Sequence, residues 1–390
     1  MKDYAFLQRK YVVNSYVNRG LTLVAGDGVH LRDPAGIAYL DLMSNYGANI
    51  FGYGHPTLTS RLESQIRTLT TLHGSFANDQ RAEAAQRLVG RCGGGLAQAF
   101  FSNSGTEANE AALKFAVLAT GRKRFIACRN GYHGKTLGAL SATDGPKFRS
   151  AFEPLLWDFA FIPFNDLEAL EAALQAETAA FLVEPIQGEG GIILPDPGYL
   201  AKAAELCRSR GALLILDEVQ TGLGRTGRFL ASQSENLIYD LATLGKGLGG
   251  GIPAAATLVT PAIADRIPRS SHTSTFGGNP LAAAGILATL DLLNESLLSH
   301  VREMGAYFLE RLRSIRSELL VCVRGQGLMI GLEVAAMRDE ILKGLQKERV
   351  LAIPASDNVV RFLPPFVIEK PHLDEAADKI EKVLSSLPRN

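Results

Sequence analysis

Seven short apolar runs constrain this chain more than any other feature. From about Arg81 onward the segments AFF, RFIACR, FAFIPF, TAAFLVEPI, ALLILD, DLATL and AAATLVT alternate with helical stretches such as LEALEAALQ and PGYLAKAAELCRSRG. Runs this short, bounded by turn residues, read as strands, and their regular alternation with helices predicts a doubly wound, mainly parallel sheet covered on both faces. Such sheets bind their ligands beyond the carboxyl ends of the strands. Two charged residues stand there. Asp217 ends ALLILD, and Lys246 follows DLATL between Gly245 and Gly247, with Gly249, Gly250 and Gly251 beyond.

That pairing has a specific chemical use. A lysine that forms a Schiff base with an aldehyde cofactor needs an acidic partner to keep the cofactor's ring nitrogen protonated, so that the ring accepts electrons from a carbanion; pyridoxal phosphate is that cofactor. Taken alone, a turn-capping aspartate and a solvated lysine in a glycine loop are the better account of the two residues. The rest of the chain favours the cofactor.

Ser104, Gly105 and Thr106 stand where a loop becomes the helix of FSNSGTEANEAALKFAVLA. The free amides and positive dipole end of such a start bind phosphate, although most Ser–Thr/Glu starts are simple N-caps. Residues 1 to about 45 read as a helix and short strands, with Asp33 to Gly36 as a hairpin turn. SSHTSTFGGNP leads into PLAAAGILATLDLLNESLLSHVREMGAYFLERLRSI, read as one long helix leaving the sheet. The remainder reads as a smaller α+β unit. The expected division is a large domain over 46–282 and a small domain built from 1–45 and 283–390.

Other classes fit poorly. The 40 basic residues balance the 40 acidic ones, so no excess favours nucleic acid or a membrane surface. No apolar run approaches membrane-spanning length. Cys92, Cys128, Cys207 and Cys322 are scattered without a CxxC, which fits a reducing cytoplasm and suggests neither zinc nor disulfides. The histidines lack HExxH spacing, so no metal is expected. Gly222, Gly224 and Gly227 satisfy GxGxxG, but the strand ends five residues too early and no dinucleotide helix follows. Gly134, Lys135 and Thr136 form GKT, yet Arg129 replaces the first glycine of a P-loop.

SNSGTEANEAALK, YHGKTLGALSAT, FLVEPIQGEGG, LILDEVQTGLGRTG, LGKGLGGGIP, HTSTFGGNP and VVRFLPP together resemble the class III aminotransferases of the type I pyridoxal phosphate fold, most closely the acetylornithine and ornithine branch. The resemblance spans essentially the whole chain. It implies that Lys246 carries the cofactor and shuttles the substrate proton. Asp217 would pair with the ring nitrogen, Gln220 with the phenolic oxygen, and Tyr132 and Val219 would sandwich the ring. Glu184 would belong to the cofactor pocket. Gly105 and Thr106, with Ser104, would hold the phosphate, joined by Thr275 from the second subunit of a homodimer with shared active sites.

For substrates, Arg361 matches the arginine that grips the α-carboxylate of glutamate and 2-oxoglutarate, a planar bidentate task. Glu189 matches the carboxylate that neutralises it while a substrate lacking that group is bound. Tyr46 matches a tyrosine at the donor's distal end. The family's partner arginine is replaced by Lys135, which keeps charge but loses the fork, and Ala77 replaces a pocket tyrosine of the ornithine enzymes. The expected reaction moves the terminal amino group of N-acetylornithine or a similar donor to 2-oxoglutarate. A transaminase of 4-aminobutyrate, a polyamine or another ω-amine is the alternative, with a same-fold epimerase, mutase or lyase behind it.

Overall fold

The computed structural model describes residues 2–235 and 237–388. Its centre is the seven-stranded sheet, made of β1 (Gln98–Ser102), β2 (Arg124–Cys128), β3 (Asp158–Ile162), β4 (Thr178–Val183), β5 (Leu213–Asp217), β6 (Leu241–Leu244) and β7 (Ala255–Val259). The spatial order is β1-β7-β6-β5-β4-β2-β3. β7 runs antiparallel to both its neighbours, while the pairs from β6 through β3 are parallel. The seven apolar runs are therefore the seven strands, and every residue of β4, β6 and β7 is buried, as two covered faces require.

The parallel register puts Asp217 opposite Thr243, so the carboxyl ends of β5 and β6 open at one level. Lys246 emerges two residues after β6. Helix α1 (Gly105–Thr120) follows β1 and lays Ala108, Asn109, Ala111, Ala112 and Phe115 onto the sheet. Its start points into the same crevice.

The one long helix expected after Asn279 does not form. The stretch from Pro280 is two helices, α2 (Pro280–Leu292) and α3 (Glu295–Arg313), meeting at 72°. Asn294 makes the break: its side chain accepts a hydrogen bond from the amide of Leu297, capping a fresh N-terminus after Leu293 leaves helical geometry. α2 is buried almost all round, whereas α3 is amphipathic, so the two need different surroundings. No single helix among the described residues is long and apolar enough to cross a membrane.

Beyond α3 a second sheet forms from β8 (Leu320–Gln326), β9 (Met329–Val334), β10 (Ile353–Ala355) and β11 (Val359–Phe362), in the order β8-β9-β11-β10 and antiparallel throughout. Near the other end of the chain, His30–Arg32 and Ala38–Asp41 pair across a turn in which Asp33 accepts from the amides of Ala35 and Ile37. Val350–Leu351 adds to Ala38–Asp41 in parallel, joining the two chain ends in one sheet.

Candidate active site

Asp217 is the hub of a buried polar network. Its Oδ2 lies 2.7 Å from His133 Nδ1 and accepts from Asn109 Nδ2 at 2.8 Å, while Oδ1 accepts from the amide of Val219 at 3.0 Å. Asn109 also donates to the carbonyl of His133 and accepts from Thr243 Oγ1. α1, the 129–136 loop and the turn at Val219 thus converge on the carboxylate that ends β5, with Thr243 of β6 bracing Asn109. Burial works to raise the Asp217 pKa, but the bond and charge of His133 and the Val219 and Asn109 bonds outweigh it and hold the group below its ordinary value. A carboxylate held ionised in an apolar setting serves a protonated ring nitrogen.

Lys246 has a backbone φ of +46°, a left-handed conformation costly for a side chain, which points to a functional constraint. Burial pulls its pKa down to about 8 against the attraction of Asp217, and Arg361 pushes the same way. Such an amine is nucleophilic near neutral pH. It opens on a cavity of about 970 Å³ also lined by Ser104, Gly105, Asn103, Tyr53 and His55. Ser104 caps α1 and spends its hydroxyl on Glu107, so any phosphate contact falls to the first-turn amides of Gly105 and Thr106, which have no intrahelical partners. A Cβ at Gly105 would meet Val219 Cγ1 at 2.5 Å, so only glycine lets the helix start and the strand tip lie this close. Amine, ionised carboxylate and open helix start fit the aldehyde, ring nitrogen and phosphate of pyridoxal phosphate.

Glu184 braces the walls. Its carboxylate accepts from the amides of Tyr132 and Gly188, tying the loop that carries Tyr132 to the one that carries Glu189. Burial pushes its pKa up to about 6, against the opposing pull of His133. The Tyr132 ring packs edge-on to Phe148, with centroids 5.5 Å apart.

Arg361, on β11, is fully buried. Its Nη2 pairs with Glu189 Oε2 at 2.9 Å, its Nη1 donates to Gln220 Oε1 at 3.1 Å, and its guanidinium lies 5.8 Å from the Tyr46 ring centroid. Tyr46 sits in a left-handed turn, φ +57°, and is half exposed. Tyr46, Glu189, Gln220 and Arg361 are thereby brought together.

Two expected residues stand apart. Lys135 is exposed, with Nζ 5.5 Å from the Phe148 ring centroid. Thr275 is exposed and lines a separate groove of about 670 Å³ with Phe100, Lys114 and His272. Within one chain it does not line the Lys246 cavity.

Sequence pattern alone does not single out His133 or Asn109. Asn109 carried a signal, a lone amide on the otherwise apolar face of α1, where an unpaired polar group is costly. His133 lay inside the YHGKT segment beside Tyr132.

The chain matches the family model described as Aminotransferase class-III over residues 11–384. It is 41% identical to the acetylornithine aminotransferase of Aquifex aeolicus, covering 96% of this chain and 100% of the relative. It is 40% identical to the [LysW]-aminoadipate semialdehyde transaminase of Deinococcus radiodurans, covering 97% and 90%. The ornithine aminotransferase structure from Toxoplasma gondii superposes with a TM-score of 0.94 at 34% identity, covering 98% of this chain and 94% of that one. With its sheet, its lysine and these likenesses in agreement, the chain belongs to the class III aminotransferases, enzymes of the type I fold that use pyridoxal phosphate.

Proposed function

We propose that the enzyme takes the terminal amino group of N-acetylornithine, or a closely similar donor, and delivers it to 2-oxoglutarate. The observation that carries this reading is the pairing of buried Arg361 with partly exposed Glu189 beside Lys246. When bound, pyridoxal phosphate supplies an electron sink for the carbanion formed next to the amino group. Asp217, kept ionised by His133 and Asn109, is suited to hold the ring nitrogen's proton. Gln220 is the candidate partner of the phenolic oxygen, Tyr132 and Val219 would flank the ring, and Glu184 fixes the walls. The amides of Gly105 and Thr106, behind the Ser104 cap, would form the phosphate seat, completed by Thr275 of a second copy. The exposure of Thr275 in its own groove supports that shared site and hence a homodimer.

Lys246, with its lowered pKa, would serve as the base that moves the proton from the substrate's amine-bearing carbon. For a donor whose reacting end bears no carboxylate, Glu189 neutralises Arg361. For 2-oxoglutarate, Glu189 turns aside and Arg361 takes the α-carboxylate in a two-pronged grip. Tyr46 and Lys135 are the candidates for the donor's distal end. The two ends of the chain, 1–45 and 283–390, make the small domain that carries Arg361, and 46–282 carries Lys246. The unpatterned cysteines support a cytoplasmic setting.

A second reading, a donor like that of the [LysW]-aminoadipate semialdehyde transaminase, is supported by the nearly equal identity to that relative. Donors without a distal carboxylate, such as putrescine, are supported by Lys135 standing on Phe148 rather than on Tyr46. A screen of donor half-reactions, followed by loss of the bound cofactor's visible absorbance, tests all of these. Fast reaction with N-acetylornithine supports the first reading, and none with it while another terminal amine reacts rejects it.

A further inference from the structure

Glu189 lies in a loop whose shape is set from its far side. Gln187 and Ile193 exchange both backbone hydrogen bonds, pinching residues 188–192 into a bulge. Gly188, Gly190 and Gly191 surround Glu189, and Gly191 has φ +112°. A loop so rich in glycine does not define one conformation by itself. The second sheet defines it. The amide of Ser356 donates to the carbonyl of Glu189 at 2.8 Å. Arg324, on β8, donates through Nε to the carbonyls of Gly191 and Ile192 at 2.9 and 3.0 Å, and through Nη2 to Gly191 at 2.6 Å. The fit leaves little slack, since a Cβ on Gly191 would stand 3.2 Å from Arg324 Nη2. Glu333 on β9 pairs with Arg324 and accepts from Asn358 Nδ2, so the guanidinium is itself held.

We infer that Arg324 is a positioning residue that, by clamping the return leg of this loop, keeps Glu189 on Arg361 and so decides which end of an amino compound the site accepts. The inference rests on the gate reading of Glu189 and Arg361 given above. With the backbone of Glu189 anchored by Ser356 and Arg324, the gate opens by rotation of one side chain. Without Arg324 the loop loosens and Arg361 is left uncovered more of the time. A terminal-amine donor then meets an uncompensated buried charge, whereas glutamate brings its own carboxylate. The clamp therefore favours terminal-amine donors over glutamate.

The test uses purified holoenzyme variants and two half-reactions, one with glutamate and one with whichever of N-acetylornithine, 4-aminobutyrate and putrescine reacts fastest. Arg324→Met lowers kcat/KM for the terminal amine about tenfold relative to glutamate. Arg324→Lys recovers part of that ratio, and Glu333→Gln shifts it in the same direction as Arg324→Met. Parallel losses for both donors, leaving the ratio unchanged, overturn the inference. Should Arg324→Met fail to fold, an unchanged ratio in Glu333→Gln overturns it equally. Glu189→Gln separates the two levels. A ratio that moves in Glu189→Gln but not in the Arg324 variants removes the clamp alone, and one that moves in neither removes the gate as well.

Discussion

His133 Nδ1 and Asp217 Oδ2 are 2.7 Å apart, both buried, at the carboxyl edge of the main sheet. An imidazole in this place does two things for the carboxylate. It offsets the cost of burying the charge, and it fixes the orientation of the oxygens. Asn109 supports it from α1.

Replacing His133 by Phe removes the main influence that holds Asp217 ionised. The Asp217 pKa rises, and each unit of rise weakens its preference for a protonated ring nitrogen by about 1.4 kcal/mol. The expected result is a kcat about tenfold lower or worse in both half-reactions, with KM for 2-oxoglutarate little changed. Single-turnover kinetics with each substrate measure this.

Arg361→Lys keeps the charge and loses the fork. Charged hydrogen bonds of this kind contribute about 1.5–3 kcal/mol, so the half-reaction with 2-oxoglutarate loses roughly 10- to 100-fold in kcat/KM. The donor half-reaction falls less. Steady-state kinetics with each substrate varied in turn separate the two effects.

Lys135→Ala tests the distal end of the donor. A donor carrying a distal carboxylate, such as N-acetylornithine, loses about tenfold in kcat/KM, the scale of one exposed-to-intermediate ionic hydrogen bond, while putrescine changes little. Equal effects on both donors place Lys135 outside the substrate pocket.

The amine of Lys246 also sets a pH dependence. Only the neutral form attacks an aldehyde, and burial moves its pKa from 10.5 to about 8. A lowered pKa means the neutral form dominates above about 8 rather than above 10.5. Loading of cofactor-free protein with pyridoxal phosphate should accelerate about tenfold per pH unit below that point and level off above it. Stopped-flow absorbance gives the profile.

Much of this organisation is legible in the residues themselves. Short apolar runs admit little besides buried strands, so the seven-stranded sheet and the placing of Asp217 and Lys246 at strand ends follow from local pattern. What local pattern misses is whatever depends on distant partners. His133 acquires meaning only once the fold sets it against Asp217. Arg324 reads as an ordinary charged strand residue until the carbonyls of Gly191 and Ile192 arrive beside it. The break at Asn294 was present as an N-cap before Glu295, but the apolar residues on either side mask it.

All of this turns on one covalent attachment, and borohydride reduction of the holoenzyme followed by peptide mass spectrometry tests it most directly. The account predicts a pyridoxyl group on Lys246, and none on a Lys246→Ala protein that still folds. Labelling of another lysine in the native enzyme, or full turnover by Lys246→Ala, contradicts it.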